Sequence, residues 1–335
     1  MTSPPFESER VAFKGFDLNL QGRGFQFEVG KTHLHTGHVK MCDSGFHACQ
    51  NPLKVVEFYP PINGNRFAKV TMRGAMDGCD SAWWSAAELM VIEELTFPAL
   101  VHEAIDWAWD PAYPAEKQDA YSNASCAEDA KNASTESYVA NASSGDHSIN
   151  ATGGDHAKNA SSGDHSANIS SGNDAMNASS GRGAENASSG LQAANACSGD
   201  HAVNASIGPR AMNASAGDHA INASSGEASK NASSGDSAIN ASSGDHARSV
   251  SSGDFGKNEA TGAYSVISGA GRDTLYRGAM GTWVSAAEYA EVHGEWRCIG
   301  FAVGRAGYDG VPADTWLIAR GGKLVPAPLS ALADE

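Results

Sequence analysis

The chain has 335 residues, with 23 Lys and Arg against 39 Asp and Glu and a formal net charge of −16. That balance argues against ordinary binding to nucleic acid or an anionic membrane, and no apolar run approaches the length of a membrane span. The N-terminus Met1-Thr2-Ser3-Pro4-Pro5 lacks the pattern of a secretory signal, and six scattered cysteines (Cys42, Cys49, Cys79, Cys126, Cys197, Cys298) suit reduced thiols.

Residues 1–115 have the texture of an α+β domain. Residues 11–17 read as a strand ending in a turn, and 22–30 alternate aromatic and polar residues between glycines, as a second strand does. After 39–49, Pro52 opens a short helix through Phe58 and Tyr59 that Pro60-Pro61 ends. Residues 66–72 and 88–95 read as further strands, and 98–109 as an amphipathic helix.

Three chemistries compete in this domain. His33, His35, His38, Cys42, His47 and Cys49 are zinc-ligand types, with Cys42, His47 and Cys49 the set a metal would use. Their spacings match no CxxC or HxxxH pair, and the plainer reading is cysteine as a small buried hydrophobe with histidines on loops. A Cys–His nucleophile built on His47 with Cys49 or Cys42 lacks a third, orienting group. Lys14, Arg23 and His47 mark a pocket for a nucleotide or other small ligand. No catalytic residues are assigned, and no cofactor is expected unless the Cys/His cluster holds a metal.

The motifs F-K-G-F-D (13–17), R-G-F-Q-F-E-V-G-K-T (23–32), C-D-S-G-F-H-A-C-Q-N-P-L (42–53) and R-F-A-K-V (66–70) occur in that order. Together they resemble an uncharacterised domain of tailed-phage and prophage proteins, over about the first hundred residues. The resemblance implies continuation into Ala/Ser/Gly-Asp repeats and a small Trp-containing cap, and a place on a virion or in a host cytoplasm; it implies no activity. His33, His35 and His38 lie outside the shared pattern. The strand around Phe13-Lys14-Gly15, the G-F-H strand and the N-P-L-x-V-V-x-x-Y helix also resemble ADP-ribosyltransferase-type folds. That likeness implies a nicotinamide cofactor near Lys14, but Lys14 stands where those folds carry Arg or His, and Glu88 is the one candidate for their later Glu.

From Asn123 to Asn258 asparagine recurs every ninth residue, with Ser249 the single replacement, and glycine keeps step from Gly145 to Gly271. The unit is N-A-S-S-G-D-H-A-x, numbered 1 to 9 from Asn. A fixed short period without a slip means one backbone unit stacked on copies of itself. Gly, Asn and two Ser in nine residues disfavour helix, and a flexible linker has no reason to hold strict register. The expected fold is therefore mainly β: a central β-solenoid over 116–271, two repeats per coil and about eight coils, flanked by small α+β N- and C-terminal domains (1–115 and 272–335). Eight coils at about 4.8 Å each would span on the order of 40 Å.

Gly-Asp supplies the turn, with glycine free to take positive φ. Alternation along the strand then turns positions 8, 1 and 3 inward and positions 9 and 2 outward. An inward asparagine column is satisfied by each amide bonding its copies above and below. Position 9 splits by parity: Ile149, Ala167, Glu185, Val203, Ile221, Ile239 and Lys257, mostly apolar, fall in one series, and Lys158, Met176, Ala194, Met212, Lys230 and Arg248 in the other. His147, His165, His201 and His219, and Asp146, Asp164, Asp200, Asp218, Asp236 and Asp254, share the apolar series. That series is the expected binding face, though a solvated ladder is the simpler reading. Gly and Asp are adjacent, unlike the G-G-x-G-x-D of calcium-binding rolls, so calcium is not expected.

The C-terminal segment echoes the N-terminal domain, with R-G-A-M at 73–76 and 277–280 and W-x-S-A-A-E at 83–88 and 283–288. Trp283, Tyr289, Trp296, Phe301 and Trp316 are the expected plug over the last coil. The leading expectation is a non-enzymatic phage- or prophage-type structural or interaction protein, working through a protein partner or by self-association into a homo-oligomer. The alternatives are an acidic mimic or sequestering antagonist of a host enzyme, and a nucleotide- or metal-binding N-terminal domain.

Overall fold

A computed structural model describes residues 9–78, 83–97, 99, 100, 103, 104, 107 and 122–331. The chain divides into two compact units, Met1–Trp107 and Ala108–Glu335, and is mainly β.

The first unit holds β1 (Arg10–Phe16), β2 (Gln21–Gly22), β3 (Phe25–Gln26), β4 (Thr32–Leu34), β5 (Phe46–Cys49), α1 (Lys54–Phe58), β6 (Arg66–Gly78) and β7 (Trp83–Leu95). β1 pairs with β6, β6 with β7 and β7 with β5, and β5 meets β1 at Phe13–Cys49, so four strands close a ring with β4 added on β7. Phe16, Leu20, Phe27, Phe46, Met72 and Leu89 fill its core. The strand expected over 22–30 is instead a tight hairpin, because Arg23 and Gly24 both take positive φ (49° and 77°) and reverse the chain between β2 and β3. Within 39–49 only Phe46–Cys49 is strand, and the strands expected over 66–72 and 88–95 are the first part of a longer β6 and the last part of a longer β7. The helix expected over 98–109 falls largely outside the described residues, as does Cys79; the other cysteines are free thiols.

In the second unit each strand comprises positions 9, 1, 2 and 3 of one nonapeptide. It pairs in parallel, in register, with the strand eighteen residues away, as in Asn195↔Asn213 and Asn204↔Asn222. One coil therefore holds two nonapeptides, and strands alternate between two sheets. Sheet 1 carries Lys158–Ser161, Met176–Ser179, Ala194–Cys197, Met212–Ser215, Lys230–Ser233 and Arg248–Ser251; sheet 2 carries Ile149–Thr152, Ala167–Ser170, Val203–Ser206, Ile221–Ser224 and Ile239–Ser242.

The asparagines form the inward column. Asn195 Nδ2 donates to Asn213 Oδ1 (3.0 Å) one coil on, and to Ala205 O (2.9 Å) and Ser188 Oγ (3.1 Å) on the opposing sheet. Its own Oδ1 accepts from Asn177 Nδ2 at 2.9 Å. The column thus binds coil to coil and sheet to sheet, which explains why position 1 tolerates so little change.

The turn works differently from the expectation. The repeat glycine does not take positive φ; position 7 does, at 55–57° for His147, His156, His165, His201, His219 and His246. Histidine, like Asn and Asp, enters the left-handed region more readily than most residues. Glycine is needed for stacking instead: a Cβ on Gly217 would lie 2.2 Å from the carbonyl oxygen of Gly199, eighteen residues earlier.

The solenoid makes about nine turns, from residue ~123 to ~286, rather than eight ending at Gly271. Backbone pairing continues although the strand sequences change to VISG and LYRG: Ile267 and Tyr276, both fully buried, take the asparagine position. Gly269 makes room for them, since a Cβ there would strike the Tyr276 hydroxyl. The end is then closed by the strand Trp283–Val292, its antiparallel partner Glu295–Arg305, and the hairpin Leu317–Arg320/Lys323–Pro326. Ile267, Tyr276, Val284, Leu317 and Leu324 form this core. The expected aromatic plug is corrected: Trp316 is buried, but Trp283, Trp296 and Phe301 are about half exposed, because they lie on the outer side of the sheet.

Candidate functional site

The side chains that recur in the nonapeptide are largely occupied in holding the stack. Asp146, Asp164, Asp200, Asp218, Asp236 and Asp254 each accept, through Oδ1, the backbone N–H of the residue eighteen positions on, at 2.7–2.9 Å. Asp155, Asn173 and Asp245 do the same at the opposite turn. The aspartate row is a ladder that ties successive turns together.

His147 stacks on His165 (5.4 Å between centroids) and His201 on His219 (4.9 Å). The row is interrupted where position 7 is Gly183. Burial, and then the neighbouring His219 and Arg182, lower the pKa of His201.

The two outer faces differ. On sheet 1, positions 9 and 2 are exposed, as in the alternating pattern of Met212–Ser215 and Lys230–Ser233. On sheet 2 all four strand positions are buried in Ile149–Thr152, Val203–Ser206 and Ile221–Ser224, and Ile239 is half-buried. Positions 9 and 2 were expected to meet solvent throughout; on sheet 2 they do not, and Glu185 at position 9 is buried alongside the Ile and Val residues.

Sheet 1 also carries a feature that the sequence reading missed. In register, Arg248, Val266, Trp283 and Arg305 form one outward row, and Val250, Ser268, Ser285 and Val303 the next, with Phe301 beyond. Val250, Val266, Trp283, Phe301 and Val303 are all exposed. Their sequence signal was the second W-x-S-A-A-E, which opens a long strand here as the first does in β7.

In the first unit the structure brings Lys14, Arg23 and His47 into mutual electrostatic range. Lys14 Nζ donates to the His47 carbonyl at 2.7 Å and lies 5.3 Å from the Phe27 ring and 5.6 Å from that of Phe16. Burial lowers the Lys14 pKa to about 8, opposed by Cys49 and helped by a smaller push from Arg23, and the His47 pKa is lowered by burial and then by Arg23 and Lys14. His47 Nε2 is buried without a hydrogen-bond partner. Tyr59, which sequence reasoning did not single out, packs on Gly15, and its pKa is raised chiefly by burial. Glu88 lies opposite Leu34 and Arg73 and adds no charge to the cluster. Cys42 is exposed at positive φ and Cys49 is buried in β5. Among the described residues no three His, Cys, Asp or Glu side chains gather as a metal site, and no helix is long and apolar enough to cross a membrane.

These features define a β-solenoid protein with a separate small β-rich N-terminal unit. Residues 10–103 of that unit match a family described as a domain of unknown function (DUF7666). No curated protein and no solved structure matches the chain.

Proposed function

We propose that the chain acts by binding rather than catalysis, as a structural or interaction protein of phage or prophage type, on the virion or in the host cytoplasm. The N-terminal motif order supports the setting. The observation that carries the binding role is the exposed apolar group Val250, Val266, Trp283, Phe301 and Val303 on sheet 1. Adjacent exposed apolar side chains of this kind mark contact surfaces, and the row residues of the repeat, being committed to the stack, leave the outer face as the variable one.

The contact uses the face rather than the strand edge. The edge strand Glu295–Arg305 is interrupted by a bulge opposite Glu288/Tyr289, and bulges blunt strand-to-strand addition. A second copy of the chain is the proposed partner. Sedimentation velocity from 1 to 100 µM tests this (about the range in which transient association reads out). The wild type should form a dimer or larger species, and Phe301→Lys, at a solvent-facing position, should stay folded and monomeric. A wild type that is monomeric throughout would count against self-association.

A further inference from the structure

We propose that the first unit binds a small oxyanion, a phosphate or carboxylate group, where β1 and β5 part beside the β2–β3 hairpin, through Lys14, Arg23 and His47. This inference does not depend on the sheet 1 contact face.

The first argument is charge accounting. Lys31, Lys54, Arg66, Lys69 and Arg73 in the same unit each have a carboxylate partner: Glu28, Glu57, Glu94, Glu103 and Glu9. Among the described residues Lys14, Arg23, His47, Arg10 and Lys40 have none; Arg10 lies over the Trp84 ring and Lys40 is exposed, whereas Lys14, Arg23 and His47 stand within electrostatic range of one another in a chain of net charge −16. An ammonium offers three donors, and Lys14 uses one, to the His47 carbonyl. Burying a charge without a counter-ion is costly; Lys14 is desolvated while Arg23 beside it is exposed, so an anion from outside the chain can reach the pair.

The second argument is geometry. β1 and β5 share one register pair, Phe13↔Cys49, and beyond it Lys14 fills the gap to β5 with its side chain. His47 Nε2 is a buried polar atom with no partner. Arg23 is held at φ 49°, a conformation that strains a non-glycine residue and is retained where the surroundings or a function require it. Next to it a Cβ on Gly22 would be in ordinary contact, 3.5 Å from Lys14 Cε, Phe27 Cε2 and Tyr59 Oη alike, so the lysine and the phenol converge here. An ammonium and a phenol hydroxyl therefore meet beside Gly22, with the exposed Arg23 guanidinium and the His47 imidazole in electrostatic range; the ammonium, guanidinium and phenol are donors suited to charge-assisted bonds with an oxyanion.

Isothermal titration of the full chain with pyrophosphate and, separately, with citrate at low salt tests the site, the two probes distinguishing phosphate from carboxylate. Saturable 1:1 binding of at least one probe is expected, weakened tenfold or more in Arg23→Gly and in Lys14→Met. Arg23→Gly decides the matter even if Lys14→Met does not fold, because glycine adopts the Arg23 conformation without strain. No saturable binding of either probe to the wild type, or undiminished binding by Arg23→Gly, would overturn the proposal.

Discussion

Two glycine-to-alanine substitutions, 39 residues apart in the solenoid, should have opposite effects. Gly217 occupies position 5. A Cβ there meets Gly199 O at 2.2 Å and Gly199 C at 2.4 Å, both backbone atoms of the preceding coil. Restoring ordinary contact, about 3.4 Å, would require the coils to part by roughly 1 Å. That displacement pulls on the turn bonds His201 N–H to Asp218 O (2.8 Å) and Asp218 N–H to Asp200 Oδ1 (2.9 Å). With overpacking at about 1–3 kcal/mol and each weakened bond at about 0.5–1.5 kcal/mol, Gly217→Ala should lose about 3 kcal/mol or more. Gly256 stands at position 8, where most repeats carry Ala, and its nearest neighbour to a new Cβ is Ala238 O at 3.4 Å. Neither glycine has positive φ, so Gly256→Ala should gain about 0.4–1 kcal/mol by restricting the unfolded chain. Urea unfolding followed by circular dichroism measures both. Equal effects of the two substitutions, or a Gly217→Ala within about 0.5 kcal/mol of wild type, would refute the stacking argument.

Other outcomes follow from single groups. Burial pushes the Cys197 thiol up to about 11, while Cys42, Cys126 and Cys298 are exposed; iodoacetamide at pH 8 should label the three exposed thiols and spare Cys197 until the protein is unfolded, as mass spectrometry of digests would show. Lys14 has its pKa lowered to about 8 from an ordinary 10.5, so between those values the unfolded chain holds a proton that the folded chain has released. Stability of the wild type should therefore rise relative to Lys14→Met as pH goes from 7.5 to 9.5, by up to about 2 kcal/mol; parallel pH profiles of the two would contradict the assignment.

The solenoid was legible because its constraints repeat. Asn and Gly in unbroken nine-residue step indicated stacking, and the parity of position 9 indicated eighteen residues per coil. The reason for the glycine was not legible, because φ and coil-to-coil contact leave the same mark on a sequence. The coil continuing past Gly271 was hidden because Ile267 and Tyr276 replace the asparagine that served as its marker. In the first unit, Arg23-Gly24 lay within an alternating run, and nothing local showed that the pair reverses the chain. Lys14, Arg23 and His47 were picked out from residue type and from likeness to other folds. Their lack of carboxylate partners, and the nearness of Tyr59, depend on contacts across β1, β5 and the hairpin that no short window contains.

The central structural claim, an eighteen-residue coil with its sheet 1 face open, can be measured by pulsed electron–electron resonance on nitroxides at Ala160→Cys and Ala232→Cys, with the exposed Cys42, Cys126 and Cys298 replaced by serine. Both sites are exposed at position 2 of sheet 1, and register steps of eighteen residues connect them through Ala178, Ala196 and Ala214. Four coils at about 4.8 Å predict a narrow distribution near 19 Å, broadened by the label tethers. One nonapeptide per coil would give about 38 Å, and a disordered repeat a broad distribution without a defined maximum; either would contradict the account.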